Sequence, residues 1–284
     1  MEERSDLFNI LILIFVLVDA VVWCLIFFPS VLSGPELYFL KVGQGDSSLA
    51  LLPGDGTGVK YLIDGGPLNG GLGANLDKIF KPDDRYIDLV FISHPQIDHF
   101  GGLLDILKNY KVGAVLCNGE GSDDANWQEL NKIISDKNIE KIVLETGDKI
   151  TYASSTVTVL NSSGSSTNIN DSGLALLLNS YGLRALYTAD LSAEAERSIV
   201  KDGNVGADVL KVSHHGSKYS SDLTFLKEVD PKISVIEVGK NSYGHPSKEA
   251  LSRLADIGSQ IFRTDLQGII KIILDGGKIK VFNI

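Results

Sequence analysis

Residues 93–102 have the sequence SHPQIDHFGG, and this stretch decides the fold. An apolar, β-branched run at residues 87–92 precedes it and predicts a buried strand. A helix-like stretch follows at residues 102–108. The loop between the two therefore carries three side chains that a rigid scaffold can hold around a metal ion: His94, Asp98 and His99.

The remaining histidines strengthen this interpretation. The chain has five His, which fall into three short clusters, each after a strand-like run: His94 with His99, His214 with His215, and His245. A further strand at residues 186–191 ends in an acid, Asp190. Imidazole and carboxylate are ligands of borderline divalent ions, and one carboxylate can bridge two ions.

Composition limits the classes of partner. The 284 residues carry a formal net charge of -10, and a strongly acidic domain does not bind nucleic acid by bulk electrostatics. A nucleic-acid substrate would need bound cations or a local basic groove. Cys24 and Cys117 are far apart in the sequence, so a disulfide framework is not expected.

The N-terminal segment predicts a membrane anchor. Residues 7–28 are apolar except for Asn9 and Asp19, about the length of 20 residues that a bilayer core requires. We expect one transmembrane helix within an anchor at residues 1–34, and a single-pass protein with its catalytic domain outside the cytoplasm. A cleaved signal or a buried core helix are the alternatives.

Residues 35–284 predict one α/β domain. Strands and helices alternate through both halves, each half also contains hairpin-like strand pairs, and Asp275-Gly276-Gly277 predicts a final hairpin. This order suits two mixed sheets packed together with helices outside.

At this point an ordered set of motifs resembles a known family. The motifs are VGQGDS at 42–47, LIDGG at 62–66, SHPQIDHFGG at 93–102, YTADL at 187–191, LKVSHHGS at 210–217, NSYGHP at 241–246 and RTD at 263–265. Together they resemble the metallo-β-lactamase superfamily, and within it the metallo-hydrolase domain of ComEC-type competence proteins. The resemblance implies an αββα sandwich whose site lies at one edge and is built from loops.

The resemblance also implies a ligand set. It predicts one firm position for a divalent metal, zinc or manganese, held by Asp98, His99, Asp190 and His214. A second, weaker position has His94 and Asp190 but lacks a full set, because the family pattern His-x-His/Asp-x-Asp-His has Gln96 at its third position. Glutamine is neutral and a poorer ligand. The loop before Asp190, which often supplies a further ligand in this family, offers only Asn170, Asp171 and Ser172.

Several assignments have alternatives. On an extended segment neighbouring side chains point opposite ways, so either His214 or His215 faces the site; we take His214 as the ligand and His215 as packing or supporting it. His245 lines the site, to bind phosphate or protonate a leaving group, or is a turn residue. Asp64 orients a ligand imidazole or stabilises a turn. Lys211, Lys218 and Lys240 flank these loops and could contact phosphates or be solvated.

The resulting functional expectation is a membrane-anchored, metal-dependent hydrolase with Asp98 and His245 as catalytic residues. By resemblance, it is a phosphodiesterase or nuclease acting on DNA in a ComEC-like uptake or processing role, possessing no channel of its own and working beside a separate channel protein. The alternatives are a small phosphoester hydrolase similar to phosphorylcholine esterases, and a non-catalytic binding domain whose metal site is partly degenerate.

Overall fold

The computed structural model of the protein describes residues 2–27, 34–54, 56, 58–162, 168–201 and 203–284. Within these ranges two mixed β-sheets pack face to face, and helices cover the outer face of each sheet. The two sheets and their helices form the four-layered α/β sandwich that the sequence predicts.

The strands follow one another along the chain as β1 Glu36–Phe39, β2 Ser48–Leu52, β3 Val59–Ile63, β4 Tyr86–Ile92, β5 Lys111–Cys117, β6 Glu140–Val143, β7 Lys149–Tyr152, β8 Ser155–Asn161, β9 Ala175–Ser180, β10 Leu183–Tyr187, β11 Val209–Lys211, β12 Ile233–Ile236, β13 Gln260–Arg263, β14 Ile270–Asp275 and β15 Lys278–Asn283. The helices are α1 Glu2–Phe27, α2 Leu72–Leu76, α3 Ile97–Phe100, α4 Leu103–Asn109, α5 Ala125–Asp136, α6 Ala193–Lys201, α7 Leu223–Val229, α8 Lys248–Asp256 and α9 Thr264–Gln267.

Both sheets combine antiparallel hairpins with parallel strands. The described strands of the first sheet lie in the order β15-β14-β1-β2-β3-β4-β5-β6, with parallel pairing from β3 to β6. Those of the second lie in the order β13-β12-β11-β10-β9-β8-β7, with parallel pairing from β10 to β13. Helices cross between the parallel strands, as parallel connections require.

Three apolar clusters hold the layers together. The central one joins the facing sides of the two sheets, with Phe39, Phe91 and Val235 fully buried. On the outer faces, α2, α4 and α5 pack on the first sheet, and α6, α7 and α8 pack on the second. Side-chain caps begin several of these helices: Asp222, for example, accepts a hydrogen bond from Phe225 N at the start of α7.

The N-terminal segment is helical, as α1, and its side chains are described only for residues 9–23. In the part of the chain that the structure describes, no helix has both the length and the apolar run that crossing a bilayer requires. The transmembrane span predicted at residues 7–28 is therefore not supported. Residues 28–33, at the end of that prediction, lie outside the described residues.

Candidate metal centre

The candidate site lies where parallel strands of both sheets end. Asp64 follows β3, His94 follows β4, Asp190 follows β10, and the short 3-10 turn Ser213–Gly216 follows β11. Loops beyond the carboxyl ends of parallel strands are the usual position of sites in α/β sheets. Helix α3 starts just after His94 and places Asp98 and His99 in a single turn.

Four buried atoms that find no hydrogen-bond partner among the described residues mark the centre: His94 Nε2, His99 Nε2, Asp190 Oδ1 and His215 Nε2. Among the described residues, four groups of His and Asp side chains have ligand atoms within 4.8 Å of one another, and two of these groups contain no Asp46. One group is His94, His99 and Asp190, and the other is Asp98, His99 and His215. Unpaired buried polar atoms are costly, so their convergence needs an explanation.

Each of the three buried imidazoles is held through its Nδ1 atom. His94 Nδ1 lies 2.9 Å from Ser93 Oγ, and His215 Nδ1 donates to the Glu237 carbonyl at 2.9 Å. His99 Nδ1 donates to Asp64 Oδ2 at 2.9 Å. Once Nδ1 carries the proton, the Nε2 lone pair is free to bind a cation, which is the arrangement found around protein metal ions.

Asp64 has an orienting position rather than a place at the centre. Its Oδ1 accepts from Ser93 N at 2.8 Å, and its Oδ2 accepts from Ser93 Oγ at 2.7 Å as well as from His99. The residue has a positive φ of 58°, which Asp tolerates better than most side chains. Asp64 thereby fixes both the start of the histidine loop and one imidazole ring.

The structure brings His215, not His214, into the buried cluster. Both residues have left-handed backbone angles, with φ of 50° and 52°, so the segment is a tight turn and not the extended stretch expected from sequence. The His215 side chain is 2 % exposed, and its Nε2 lies 3.6 Å from Asp98 Oδ2. His214 is 32 % exposed, with Nε2 3.7 Å from Asp190 Oδ2. The turn directs His214 toward the open side of the centre.

The carboxylates and imidazoles of the cluster shift each other's pKa values. Burial opposes ionisation of Asp98, but the nearby His215 and His99 imidazoles outweigh burial and lower the Asp98 pKa to about 2. Burial also opposes a charge on His215, yet Asp190 and Asp46 raise its pKa to about 10. For His94, burial dominates and lowers the pKa to about 3. The protein alone thus gathers anions at a point where protons or a cation must balance them.

Beneath the cluster lies a buried ion pair between Lys211 and Asp46, which differs from both sequence-based alternatives for Lys211, a phosphate contact or a solvated side chain. Lys211 Nζ contacts Asp46 Oδ2, and Asp46 Oδ1 lies 3.2 Å from His215 Nδ1. Asp46 therefore contacts the Nδ1 side of the His215 ring, away from Nε2. Its negative charge is already paired with the Lys211 ammonium. Asp46 thus supports the imidazoles and is unsuited to ligate an ion itself. Lys211 is 2 % exposed and does not reach solvent.

Gln96 lies beside the cluster and pairs with another amide. Its Nε2 donates to Asn170 Oδ1 at 2.5 Å, and Asn170 belongs to the loop before β9. Two neutral amides thus bond to each other at the positions where the family pattern would supply ligands to the His94 side. This contact could not be found by sequence reasoning alone, because the two residues are 74 positions apart.

His245 lies at the mouth of the cluster. Its ring centroid is 5.5 Å from that of His214, and its backbone is held by Asn241, whose Oδ1 accepts from His245 N at 3.1 Å. Burial, followed by the nearby charges of His214 and His215, lowers the His245 pKa. Its role in binding phosphate or protonating a leaving group stays a prediction.

The class of protein follows from the fold and the centre together. A four-layered sandwich of two mixed sheets, with His and Asp side chains gathered where the parallel strands end, defines a metallo-β-lactamase fold. The buried atoms left without partners, the Nδ1-held imidazoles and the carboxylates fit a divalent ion.

The chain belongs to the β-lactamase superfamily: the family described as "Beta-lactamase superfamily domain" matches residues 60–211, more than half of the chain. Among solved structures, the metallo-beta-lactamase fold protein YhfI from Bacillus subtilis aligns with a TM-score of 0.57 over 84 % of this chain and 99 % of that one. At 14 % identity, the likeness concerns the fold alone.

Two curated relatives are larger proteins. ComE operon protein 3 of Bacillus subtilis is 26 % identical over 269 residues, covering 88 % of this chain and 34 % of the relative. Competence protein ComA of Neisseria gonorrhoeae is 38 % identical over 98 residues, covering 34 % of this chain and 14 % of the relative. The chain therefore spans about a third or less of the length of these relatives.

Proposed function

We propose that residues 35–284 form a metal-dependent phosphodiesterase that cleaves DNA. One observation supports the proposal of a hydrolytic centre. Four buried ligand atoms, from three imidazoles and a carboxylate, converge without hydrogen-bond partners among the described residues. The phosphodiester substrate is inferred from relatives that carry the names of competence proteins. A role beside a separate channel protein in DNA uptake belongs to the same proposal.

The firm metal position in this proposal is held by Asp98, His99, Asp190 and His215, with His215 replacing the His214 of the sequence-based assignment. A weaker position has His94 and Asp190, because Gln96 and Asn170 satisfy each other. A divalent ion held by these residues, zinc or manganese, would supply Lewis acidity toward a phosphoryl oxygen and a water.

The protein's own side chains have separate tasks. Asp98, ionised because its pKa is about 2, orients a water at the exposed side of the cluster, where its side chain remains 30 % accessible. His245 is neutral near pH 7, because burial and its neighbouring imidazoles lower its pKa. It therefore donates a hydrogen bond to a phosphoryl oxygen and does not act as an imidazolium acid.

A small phosphoester is the second candidate substrate. The net charge of -10 favours it, since an acidic protein repels a polyanion more than a single ester. Cleavage of a small phosphoester without cleavage of DNA would identify the small ester as the substrate class.

The matched histidine pair supplies the decisive experiment. His214→Ala and His215→Ala remove the same group from adjacent positions in the full chain. We expect His215→Ala to weaken manganese binding by about 100-fold or more, and His214→Ala by less than about 10-fold. Binding is measured by calorimetry and by metal content after dialysis, so the readout does not depend on activity.

Activity is then measured on single-stranded DNA, duplex DNA and bis-p-nitrophenyl phosphate with added manganese or zinc. Asp98→Asn and Asp190→Asn should abolish hydrolysis while circular dichroism shows an intact fold. Unchanged turnover in either variant refutes the metal-dependent mechanism. Bound metal without cleavage of any phosphodiester refutes the substrate class, and no bound metal leaves a non-catalytic domain.

A further inference from the structure

A row of aromatic rings leads from the metal centre to the surface. His214 Nε2 lies 3.7 Å from Asp190 Oδ2, and the His214 and His245 ring centroids are 5.5 Å apart. The Tyr243 ring follows, with its centroid 5.8 Å from that of His245 and an interplanar angle of 33°. His214 and His245 are half-buried, whereas Tyr243 is 74 % exposed. The outermost ring therefore lies two ring contacts from the reacting centre.

The segment under Tyr243 is held in place although the ring is exposed. Asn241 Oδ1 accepts from Tyr243 N and from His245 N, each at 3.1 Å. Asn241 Nδ2 donates to the carbonyls of Gly239 and His245 at 2.9 and 2.8 Å. An anchored backbone with an uncovered aromatic ring is preorganised for a ligand, because little freedom is lost on binding.

The adjoining loop adds to this surface. Ser247 N donates to Gly216 O at 2.9 Å, so the turn that carries His215 packs against the segment after His245. That turn continues into Tyr219, which is also largely exposed, with Lys218 Nζ 5.0 Å above its ring. The loop that follows His215 therefore carries an exposed aromatic ring and an ammonium.

The chemistry of this surface favours one kind of ligand. Every nucleobase offers a flat face, and stacking on exposed aromatic rings is the usual way in which proteins bind single strands without reading sequence. A base inside a duplex has both faces covered by its neighbours, so only an unpaired base can use such a ring. Because the chain carries a net charge of -10, stacking also supplies affinity that bulk electrostatics does not.

We propose that Tyr243, backed by His245, is a stacking subsite for an unpaired nucleobase beside the scissile phosphodiester. The substrate class is then single-stranded nucleic acid in preference to duplex. This inference rests on the proposed phosphodiesterase function. It adds that Tyr243 is the residue that favours single-stranded over duplex nucleic acid. His245 Nδ1 is buried and has no hydrogen-bond partner among the described residues, so it is available to form a hydrogen bond with the same ligand.

The test compares an ordinary oligothymidylate with one in which abasic residues flank the cleaved bond. Bis-p-nitrophenyl phosphate is unsuitable as the baseless control, because its own rings can stack. The variants of the full chain are Tyr243→Ala, Tyr243→Phe and, as a matched control, Tyr181→Ala. Tyr181 is 46 % exposed in the turn between β9 and β10, at the end of β10 opposite to Asp190.

We expect the wild-type chain to bind and cleave the ordinary strand with Kd and KM about 10-fold lower than for the abasic strand. Tyr243→Ala should reduce this preference to about 2-fold or less, whereas Tyr243→Phe and Tyr181→Ala retain it. Binding is measured by fluorescence anisotropy without added metal, so stacking is seen apart from turnover. Affinity for the single strand should also exceed that for a duplex of the same sequence.

The outcomes separate the two proposals. If the wild-type chain cleaves no phosphodiester, the proposed function fails. If it cleaves DNA but Tyr243→Ala leaves the preference for bases unchanged, or the duplex is preferred, the stacking subsite is wrong and the hydrolase stands. If the chain binds phosphorylcholine through Tyr243 but does not bind oligothymidylate, the nucleobase proposal is wrong. Tyr243 then binds a quaternary ammonium instead.

Discussion

Replacing Lys211 by Met tests the buried ion pair beneath the metal centre. Lys211 Nζ contacts Asp46 Oδ2 and donates to Ala189 O at 3.0 Å, and both charged side chains are 3 % exposed. Methionine keeps an unbranched stem but removes the charge, which leaves Asp46 without its ammonium in a place that solvent barely reaches.

The expected magnitude follows from what Asp46 retains. Removing one partner of a buried pair costs about 3–5 kcal/mol of stability. His215 Nδ1 at 3.2 Å and His99 Nδ1 at 3.7 Å still face the Asp46 carboxylate, so the lower end of that range applies. We expect the free energy of unfolding to fall by about 3 kcal/mol, which lowers Tm by about 6–12 °C for a chain of this size.

The assay is urea unfolding of the full chain in chelator at pH 7, with a surface pair as control. Lys232 Nζ lies 2.6 Å from Asp208 Oδ1, but its side chain is 71 % exposed, so Lys232→Met should cost at most about 1 kcal/mol. The double variant Asp46→Asn with Lys211→Met should recover at least about 1 kcal/mol relative to the sum of the single changes. Equal losses for Lys211→Met and Lys232→Met, or strict additivity, would refute the reasoning.

Three further predictions concern protons and metal. Burial raises the pKa of Glu196 to about 8, so between its unfolded pKa of about 4.3 and pH 8 the folded state retains a proton that the unfolded state loses. Stability should therefore fall as pH rises through this window, and Glu196→Gln, compared with wild type by urea unfolding at pH 5 and pH 8, should lessen the fall; identical pH profiles would contradict it. Because the pKa values of His99 and His215 are raised, coordination should release about two protons per ion and manganese affinity should rise from pH 6 to pH 9. Calorimetry in buffers of different ionisation enthalpy measures the released protons, and a release of zero would rule out these imidazoles as ligands. Gln96→His should increase the metal content per chain after dialysis by filling the weaker position, and an unchanged stoichiometry would remove that explanation of the second position.

The parts of the fold that sequence predicts are those that short motifs and local hydrophobic periodicity determine. The strand before residue 93 and the final hairpin, β14 with β15, were both predicted from sequence, because apolar runs and glycine turns determine them. The hairpin of β7 and β8 was missed. Residues 149–161 alternate Thr with Ile, Tyr and Val, which is the period-2 pattern of a half-buried strand pair, so the sequence carried the signal for this hairpin.

The sequence does not predict the roles of those site residues whose position depends on a backbone turn or on a partner far away in the chain. The choice between His214 and His215 depends on two successive left-handed residues, which no spacing rule reveals. The pairing of Asp46 with Lys211 joins positions 165 residues apart. Ala189, directly before Asp190, has a positive φ of 45°, a conformation that glycine adopts at less cost.

The first sheet brings an early strand together with two of the last described strands, which has a consequence for synthesis. Strand β1 pairs with β14 through Glu36 and Ile273, so its neighbour leaves the ribosome about 240 residues later. At usual elongation rates this delay is roughly ten seconds to a minute. Throughout that interval one side of β1 is an open edge that another chain could occupy. Chaperone protection of the nascent N-terminal half, and rapid disposal of prematurely terminated chains, should therefore matter more for this domain than its final stability suggests.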